Sequence, residues 1–172
     1  MLVVTTLLSL LAFPASALKD TIHSSQKTGK IYSTTTDAYP QLGSYTDTFS
    51  YNTSTQTVEW KGVTEGVYTV DHAPSNISSG SCTSVTYVYD ADGNMIKKYT
   101  TSTKSVTTDD NGYYSTTTGS ADIKNVAQDS DGYRTTQTNI THKLTSKLYG
   151  WSGTVTTYTK CMVYKNVTAY FY

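Results

Sequence analysis

The chain has 172 residues, no net formal charge at pH 7, and only 15% charged residues. Such a chain lacks the basic surface that nucleic acids and anionic membranes attract, so neither is expected as a partner. Threonine and serine number 34 and 20, beside 16 tyrosines and 3 prolines. Because Thr and Tyr favour the pleated, half-buried surfaces of sheets, the composition predicts an all-β protein with one hydrophobic core.

The first 17 residues have the features of an export signal. Residues 1–13 are mostly apolar, and Ala15-Ser16-Ala17 has the small-residue pattern of a signal-peptide cleavage site. The apolar stretch is too short to span a bilayer comfortably. The sequence therefore predicts a signal peptide over residues 1–17, a mature chain that begins at Leu18, and a secreted, extracellular location.

The next residues, 18–33, are polar and show no periodicity. They are predicted to form a flexible N-terminal segment or an edge strand that is added late in folding. Residues 34–172 are predicted to form a single all-β domain. Its first hairpin is expected to join Tyr45–Tyr51 to Thr57–Gly62 through the turn that starts at Asn52.

The run Cys82–Tyr89 alternates in the manner of a half-buried strand, with the even-numbered residues predicted on one face. Leucine is almost confined to the leader. Tyrosine is therefore expected to take the place of Leu and Phe as the main core residue of these sheets. The alternative is that the tyrosine and tryptophan rings form a platform on which a glycan stacks.

Three similar Asp-rich turns follow one another along the chain, at Asp90–Gly93, Asp109–Gly112 and Asp129–Gly132. The leading Asp can accept backbone N–H groups across the turn, and Gly adopts a positive φ without a Cβ clash. Their spacing of 19 and 20 residues predicts an antiparallel meander of consecutive hairpins that forms a β-sandwich or a barrel. Turn chemistry alone explains these Asp residues, so no metal ligand and no cofactor is assigned.

Two cysteines, Cys82 and Cys161, are the only ones in the chain. In an oxidising compartment an isolated pair is most simply a disulfide. The sequence therefore predicts one intramolecular bridge, which would stabilise the fold by about 4–5 kcal/mol on the chain-entropy description.

Catalytic patterns are missing from the sequence. Three histidines and two glutamates are scattered along it, and no G-x-S-x-G elbow occurs. No catalytic residue is assigned, and the protein is expected not to be an enzyme. Four N-x-[ST] sequons occur. Asn76 is the best candidate glycosylation site because it lies in the clearest loop, whereas Asn166 is expected inside a core strand.

The two tryptophans are predicted to have opposite environments. Trp151 lies between Gly150 and Ser152-Gly153, where the backbone is free and the ring is expected to be exposed. It is the candidate ligand-binding residue, because exposed rigid aromatics are common at binding surfaces. Trp60 lies in an alternating run and is expected in the core.

Three functions remain open at this point. The first is a secreted, non-enzymatic module that acts by adhesion or surface recognition of a glycan or protein ligand. The second is a β-pore-forming toxin, whose membrane arm would run from Tyr99 to Thr107 and return through Tyr113–Thr118. The third is a subunit of an extracellular fibre, in which residues 18–33 would add as a strand to a neighbour's sheet.

Overall fold

The computed structural model describes residues 23–37, 39–66, 77–109, 112–147 and 149–172. Threonine-rich alternating segments form ten β-strands in these ranges. They are β1 (Ser24–Tyr32), β2 (Gln41–Asn52), β3 (Thr57–Gly66), β4 (Ile77–Tyr89), β5 (Met95–Thr101), β6 (Ser105–Asp109), β7 (Gly112–Asp122), β8 (Tyr133–Ser146), β9 (Ser152–Tyr164) and β10 (Thr168–Phe171).

The strands form two five-stranded antiparallel sheets that pack face to face. The first sheet has the order β1-β2-β3-β7-β6, and the second has the order β10-β9-β8-β4-β5. The prediction of an all-β fold is confirmed, and the two separate sheets are consistent with a sandwich. In the parts of the chain described here, no helix has the length and apolar character that crossing a membrane would take.

The predicted run of consecutive hairpins is only partly right. The turn at Asp90–Gly93 joins β4 to β5 within the second sheet, but the turn at Asp129–Gly132 precedes β8, after the chain has crossed from β7 in the first sheet. Both turns have the same internal hydrogen bonds, from backbone N–H groups to the Oδ1 atom of Asp90 or Asp129. Turn chemistry therefore predicts where the chain reverses, but not which sheet the next strand joins.

Within the N-terminal segment 18–33, residues Ser24–Tyr32 form an edge strand. Strand β1 pairs antiparallel with β2, from Ser24 opposite Ser50 to Ile31 opposite Gly43. The Ile31 side chain is fully buried and fixes the end of the strand in the core. The predicted signal peptide and residues 18–22 lie outside the described residues.

The core between the sheets has two apolar clusters. The larger one includes Trp60, which is 3% exposed and donates its Nε1 proton to Ser84 Oγ at 2.8 Å. The smaller one comprises Ile31, Leu42, Ile77, Tyr113 and Leu144. The prediction that Trp60 belongs to the core is confirmed.

The prediction that tyrosine is the main core residue is wrong. Among the described residues only Tyr51 and Tyr113 are buried, and threonine fills much of the interior instead. Buried threonines can satisfy one another, as Thr86 Oγ1 and Thr138 Oγ1 do at 2.8 Å. Most tyrosines point outward, where their hydroxyl groups meet water.

The predicted disulfide is also wrong, since Cys82 and Cys161 are both buried free thiols. Cys82 pairs with His142 on β8, whereas Cys161 pairs with Thr136 on the same strand. Six residues along β8 correspond to about 20 Å, and two strand spacings add about 10 Å across the sheet. Because a disulfide requires Cα atoms within about 7 Å, the register keeps these two thiols apart.

Candidate functional site

Four tyrosines lie together on the outer face of the second sheet. We call this group the tyrosine surface, and it consists of Tyr133, Tyr164, Tyr170 and Tyr172. Tyr133 pairs with Tyr164 across β8 and β9, and their ring centroids lie 5.1 Å apart. Tyr170 pairs with Met162 on the neighbouring strands. The strand register therefore fixes a row of half-buried rings on a rigid sheet.

Two lysines border the tyrosine surface. Lys165 Nζ lies 5.1 Å from the centroid of the Tyr164 ring, and Lys160 Nζ lies 6.0 Å from that of Tyr172. These distances are within the range of cation–π attraction. The two ammonium groups thus lie over the rings of Tyr164 and Tyr172 and add hydrogen-bond donors to the border of this surface.

Partial burial changes the chemistry of these phenols. Desolvation raises the pKa of Tyr133, and the neighbouring phenols and the carboxylates of Asp129 and Asp131 raise it further. Burial likewise raises the pKa of Tyr172. Both hydroxyl groups therefore stay protonated at neutral pH and can donate and accept hydrogen bonds.

The buried Arg134 guanidinium holds together the end of the sandwich that carries the tyrosine surface. Its Nη1 atom donates to Gln56 Oε1 and to the carbonyl of Ile123, both at 2.8 Å. Its Nη2 atom donates to Asn166 Oδ1 at 3.2 Å, and this oxygen also accepts the Tyr51 hydroxyl. Arg134 thereby joins β8 to the connections between β2 and β3, between β7 and β8, and between β9 and β10. These contacts lie beneath the tyrosine rings.

The predicted ligand-binding residue, Trp151, lies at the other end of the second sheet. Its carbonyl accepts the backbone N–H of Ser146 at 2.7 Å, at the end of β8 opposite Tyr133. The thirteen steps between Tyr133 and Ser146 correspond to about 44 Å of strand. The structure therefore does not bring Trp151 into the tyrosine surface.

Trp151 is half-buried rather than fully exposed. One side packs on the smaller apolar cluster, and the ring stacks on Tyr149 with centroids 4.4 Å apart. Tyr149 itself is 57% exposed. The binding role of Trp151 stays a prediction, and the stacked pair would have to act as a unit.

The other candidate positions have separate outcomes. Asn76, the predicted glycosylation site, lies outside the described residues. Asn166 does not lie in a core strand as predicted, since it occupies the turn between β9 and β10 with a φ of 60°. Among the described residues, no group of three or more His, Cys, Asp and Glu side chains could hold a metal ion.

A buried polar network lies between the two apolar clusters, and the sequence did not predict it. His142 Nε2 lies 3.1 Å from Asp47 Oδ1, and His142 Nδ1 lies 2.9 Å from Thr64 Oγ1. Thr157 donates to Asp47 Oδ2 at 2.7 Å. These residues come from four strands in both sheets, so the network ties the sheets together at mid-height.

Cys82 adds a thiol to this network, since its Sγ atom lies 3.6 Å from His142 Nδ1. The Cys82 thiol, the His142 imidazole and the Asp47 carboxylate thus follow one another as do the nucleophile, the base and the orienting group of a catalytic site. All three side chains are fully buried, however, and desolvation raises the pKa of Cys82 to about 11. A buried, protonated thiol is a poor nucleophile, and the contacts of this network join the two sheets.

The alternation of the C-terminal strands contains a signal for the tyrosine surface. Cys161, Val163 and Phe171 are apolar and buried. The intervening residues must therefore face outward, and several of these are tyrosines. The signal was missed because tyrosine was assigned to the core.

Comparisons with protein-family models, curated proteins and solved structures found no match.

Proposed function

We propose that this protein is a secreted, non-enzymatic recognition domain that binds carbohydrate through the tyrosine surface. The observation that carries the proposal is the fixed group of half-buried tyrosine rings on the outer face of the second sheet, with two lysines at its border. Flat amphipathic rings suit the faces of sugars, and their low side-chain entropy limits the cost of binding.

The make-up of the surface favours a sugar over a protein partner. Protein interfaces usually have an apolar centre and bury more than about 1,000 Å². Here the tyrosines alternate with small or polar side chains such as Thr135, Gln137 and Thr168, which line the same outer face. A surface that mixes aromatic faces with hydrogen-bonding groups matches a ligand that has both C–H faces and hydroxyl groups.

The rival functions have less support in the arrangement of the strands. The arm proposed for a pore-forming toxin is divided between β5 in the second sheet and β6 in the first, with residues 102–104 between them. The segment proposed for strand addition to a neighbour already pairs with β2 of its own chain.

Export is part of the proposal and has its own test. Expression of the full chain in a secreting host should place the protein in the medium, with Leu18 as its first residue by intact mass. Retention of an uncleaved chain inside the cells would contradict export.

Binding is tested by incubating the purified mature protein with a panel of immobilised polysaccharides, both neutral and acidic. We expect at least one polysaccharide to retain the protein. The double variant Tyr164→Ala/Tyr170→Ala should lose about tenfold or more in affinity, because it removes two rings from the contact surface and a tenfold loss corresponds to only about 1.4 kcal/mol.

Tyr32→Ala is the matched control, since Tyr32 is 46% exposed on the edge strand of the other sheet. It should bind as the parent protein does. Retention of no polysaccharide, or equal binding by the double variant and the parent, would overturn the proposal. Capture of a protein partner through the same tyrosines would instead favour protein recognition.

A further inference from the structure

Two of the Asp-rich turns that recur in the sequence meet at one end of the second sheet. In each turn the Oδ1 atom of the leading Asp accepts two backbone N–H groups at 2.8–2.9 Å. The turns are closed by a bond from Gly93 N to the Asp90 carbonyl at 3.1 Å and from Gly132 N to the Asp129 carbonyl at 3.0 Å. The carboxylates of Asp90 and Asp129 are therefore held in place by their own turns.

A cavity of about 380 Å³ lies between these turns and the outer face of the sheet. This volume is within the range of small-molecule sites, which is about 300–1,000 Å³. Its polar and aromatic lining includes Tyr89, Asp90, Asp129, Thr135, Gln137 and Lys160. The cavity is thus built from β4, β8, β9 and the two turns.

Both hydrogen-bond acceptors and donors line this cavity. The turn hydrogen bonds use Oδ1 of Asp90 and of Asp129, which leaves Oδ2 of each carboxylate as an acceptor. Gln137 and Lys160 pair across β8 and β9. Lys160 brings an ammonium donor, and Gln137 Nε2, which donates one N–H to Asn139 Oδ1 at 3.2 Å, keeps its second N–H. Hydroxyl groups can satisfy both kinds of partner, because each donates one hydrogen bond and accepts others.

The charges in the cavity decide the class of ligand. The two carboxylates disfavour a carboxylated or sulfated ligand, and the Lys160 ammonium disfavours a bare cation. We propose that the cavity holds one uncharged sugar ring, whose hydroxyl groups donate to Asp90 and Asp129 and accept from Gln137 and Lys160. This inference rests on the proposed function and names the class of ligand that the outer face of the second sheet binds.

Lys160 connects the cavity to the tyrosine surface, since it lines the first and lies beside Tyr172 of the second. A glycan bound in this way places one ring in the cavity and extends neighbouring rings over the tyrosines. Specificity then comes mainly from the cavity, whose half-buried carboxylate and amide groups would be left without partners by the wrong ligand. The tyrosines supply contact area.

A second concavity serves as the internal control. It has a volume of about 640 Å³ on the outer face of the first sheet, and its lining includes Gln26 and Lys61, which lie on either side of Thr48 in the strand register. The aromatic residues in its lining, Phe49 and Trp60, are buried in the core and turn their rings away from it. It therefore offers a similar glutamine and lysine without an aromatic face.

The experiment compares two double variants, Gln137→Ala/Lys160→Ala and Gln26→Ala/Lys61→Ala. Each is titrated with neutral oligosaccharides built from glucose, galactose, mannose or xylose, and with acidic ones that carry uronic acid. The parent protein should bind at least one neutral oligosaccharide. It should bind none of the acidic oligosaccharides more tightly than that one. The first double variant should lose about tenfold or more in affinity, whereas the second should change less than twofold.

Each contrary result has a distinct meaning. If the Gln137/Lys160 variant binds as the parent does while Tyr164→Ala/Tyr170→Ala is impaired, the cavity is not the site and the proposed function stands. A preference for acidic oligosaccharides overturns the uncharged class. If the parent binds no oligosaccharide, both the inference and the proposed function are wrong.

Discussion

Replacing Asp47 with alanine removes the acceptor at the centre of the buried network. Asp47 and His142 are both fully buried, with His142 Nε2 at 3.1 Å from the carboxylate. Thr157 donates to the same carboxylate at 2.7 Å, and its other hydrogen bond, to the carbonyl of Ile140, is longer at 3.5 Å. The substitution therefore leaves an imidazole and a hydroxyl in the core without their strongest partner.

The expected cost follows from leaving two buried polar groups, His142 Nε2 and Thr157 Oγ1, without the acceptor they share. Each unsatisfied buried polar group typically costs about 1–3 kcal/mol, because the protein interior solvates it poorly. Since a whole domain is stable by only about 5–15 kcal/mol, Asp47→Ala should lower the free energy of unfolding by a large fraction of the total. Asp47→Asn keeps the shape and an acceptor for Thr157, so it should cost less.

The assay is urea denaturation at pH 7, followed by circular dichroism. Asp92→Ala is the control, because Asp92 is exposed in the β4–β5 turn and should change stability by less than about 0.5 kcal/mol. The combined variant Asp47→Leu/His142→Phe replaces both polar side chains with apolar ones. It should cost less than the sum of its two single changes, by about 1–3 kcal/mol.

Equal stability of Asp47→Ala and Asp92→Ala would refute the reasoning, as would strict additivity of the Leu and Phe changes. Either result would mean that the Asp47–His142 pair contributes nothing to holding the two sheets together.

Four further outcomes are expected. Alkylation without reductant should leave Cys82 and Cys161 unlabelled in the native protein, and both should be labelled in urea. If both cysteines stay unlabelled in urea, the two thiols are joined in a disulfide after all. Because burial raises the pKa of Cys82 from 9.0 to about 11, the folded chain holds that proton more tightly. The contribution of the protonated thiol to the free energy of unfolding should therefore be fully present below pH 9 and be lost as the pH rises toward 11. The free energy of unfolding should fall less steeply with pH in Cys82→Ala than in the parent, and an equal slope would exclude the thiol as the cause. Trp60→Ala should cost about 3–5 kcal/mol, and Trp151→Ala less, since only one side of that ring is packed; the reverse order in thermal melts would contradict both placements. Gly132→Val should cost about 1 kcal/mol or more, because Gly132 has a φ of 90° and an added Cβ would lie 3.2 Å from Tyr164; an unchanged melting temperature would reject this.

Local patterns in the sequence predicted the strands well. The alternation of Cys82–Tyr89 correctly put Cys82, Ser84, Thr86 and Val88 on one face, and the structure shows that this face is the buried one. The hairpin around Asn52 forms as expected, with the Asn52 Oδ1 atom accepting the backbone N–H of Ser54 at 2.9 Å. Both features depend on residues that are close in the chain, where side-chain periodicity and turn chemistry act directly.

Contacts between distant residues could not be predicted in the same way. The pairing of Cys82 and Cys161 was expected from redox logic, but the register of β4, β8 and β9 separates them. His142 and Asp47 lie on different sheets, and only the packing of the sandwich brings them together. The tyrosine surface was missed for a compositional reason, since threonine took the core positions that tyrosine was expected to fill.

The most direct test of the account is a chemical-shift map of the backbone amides of the mature protein during titration with a neutral oligosaccharide that it binds. We predict that the shifts concentrate at the turns of Asp90 and Asp129 and along β8, β9 and β10 near Tyr164. Shifts confined to the neighbourhood of Trp151, or to the outer face of the first sheet around Lys61, would contradict it.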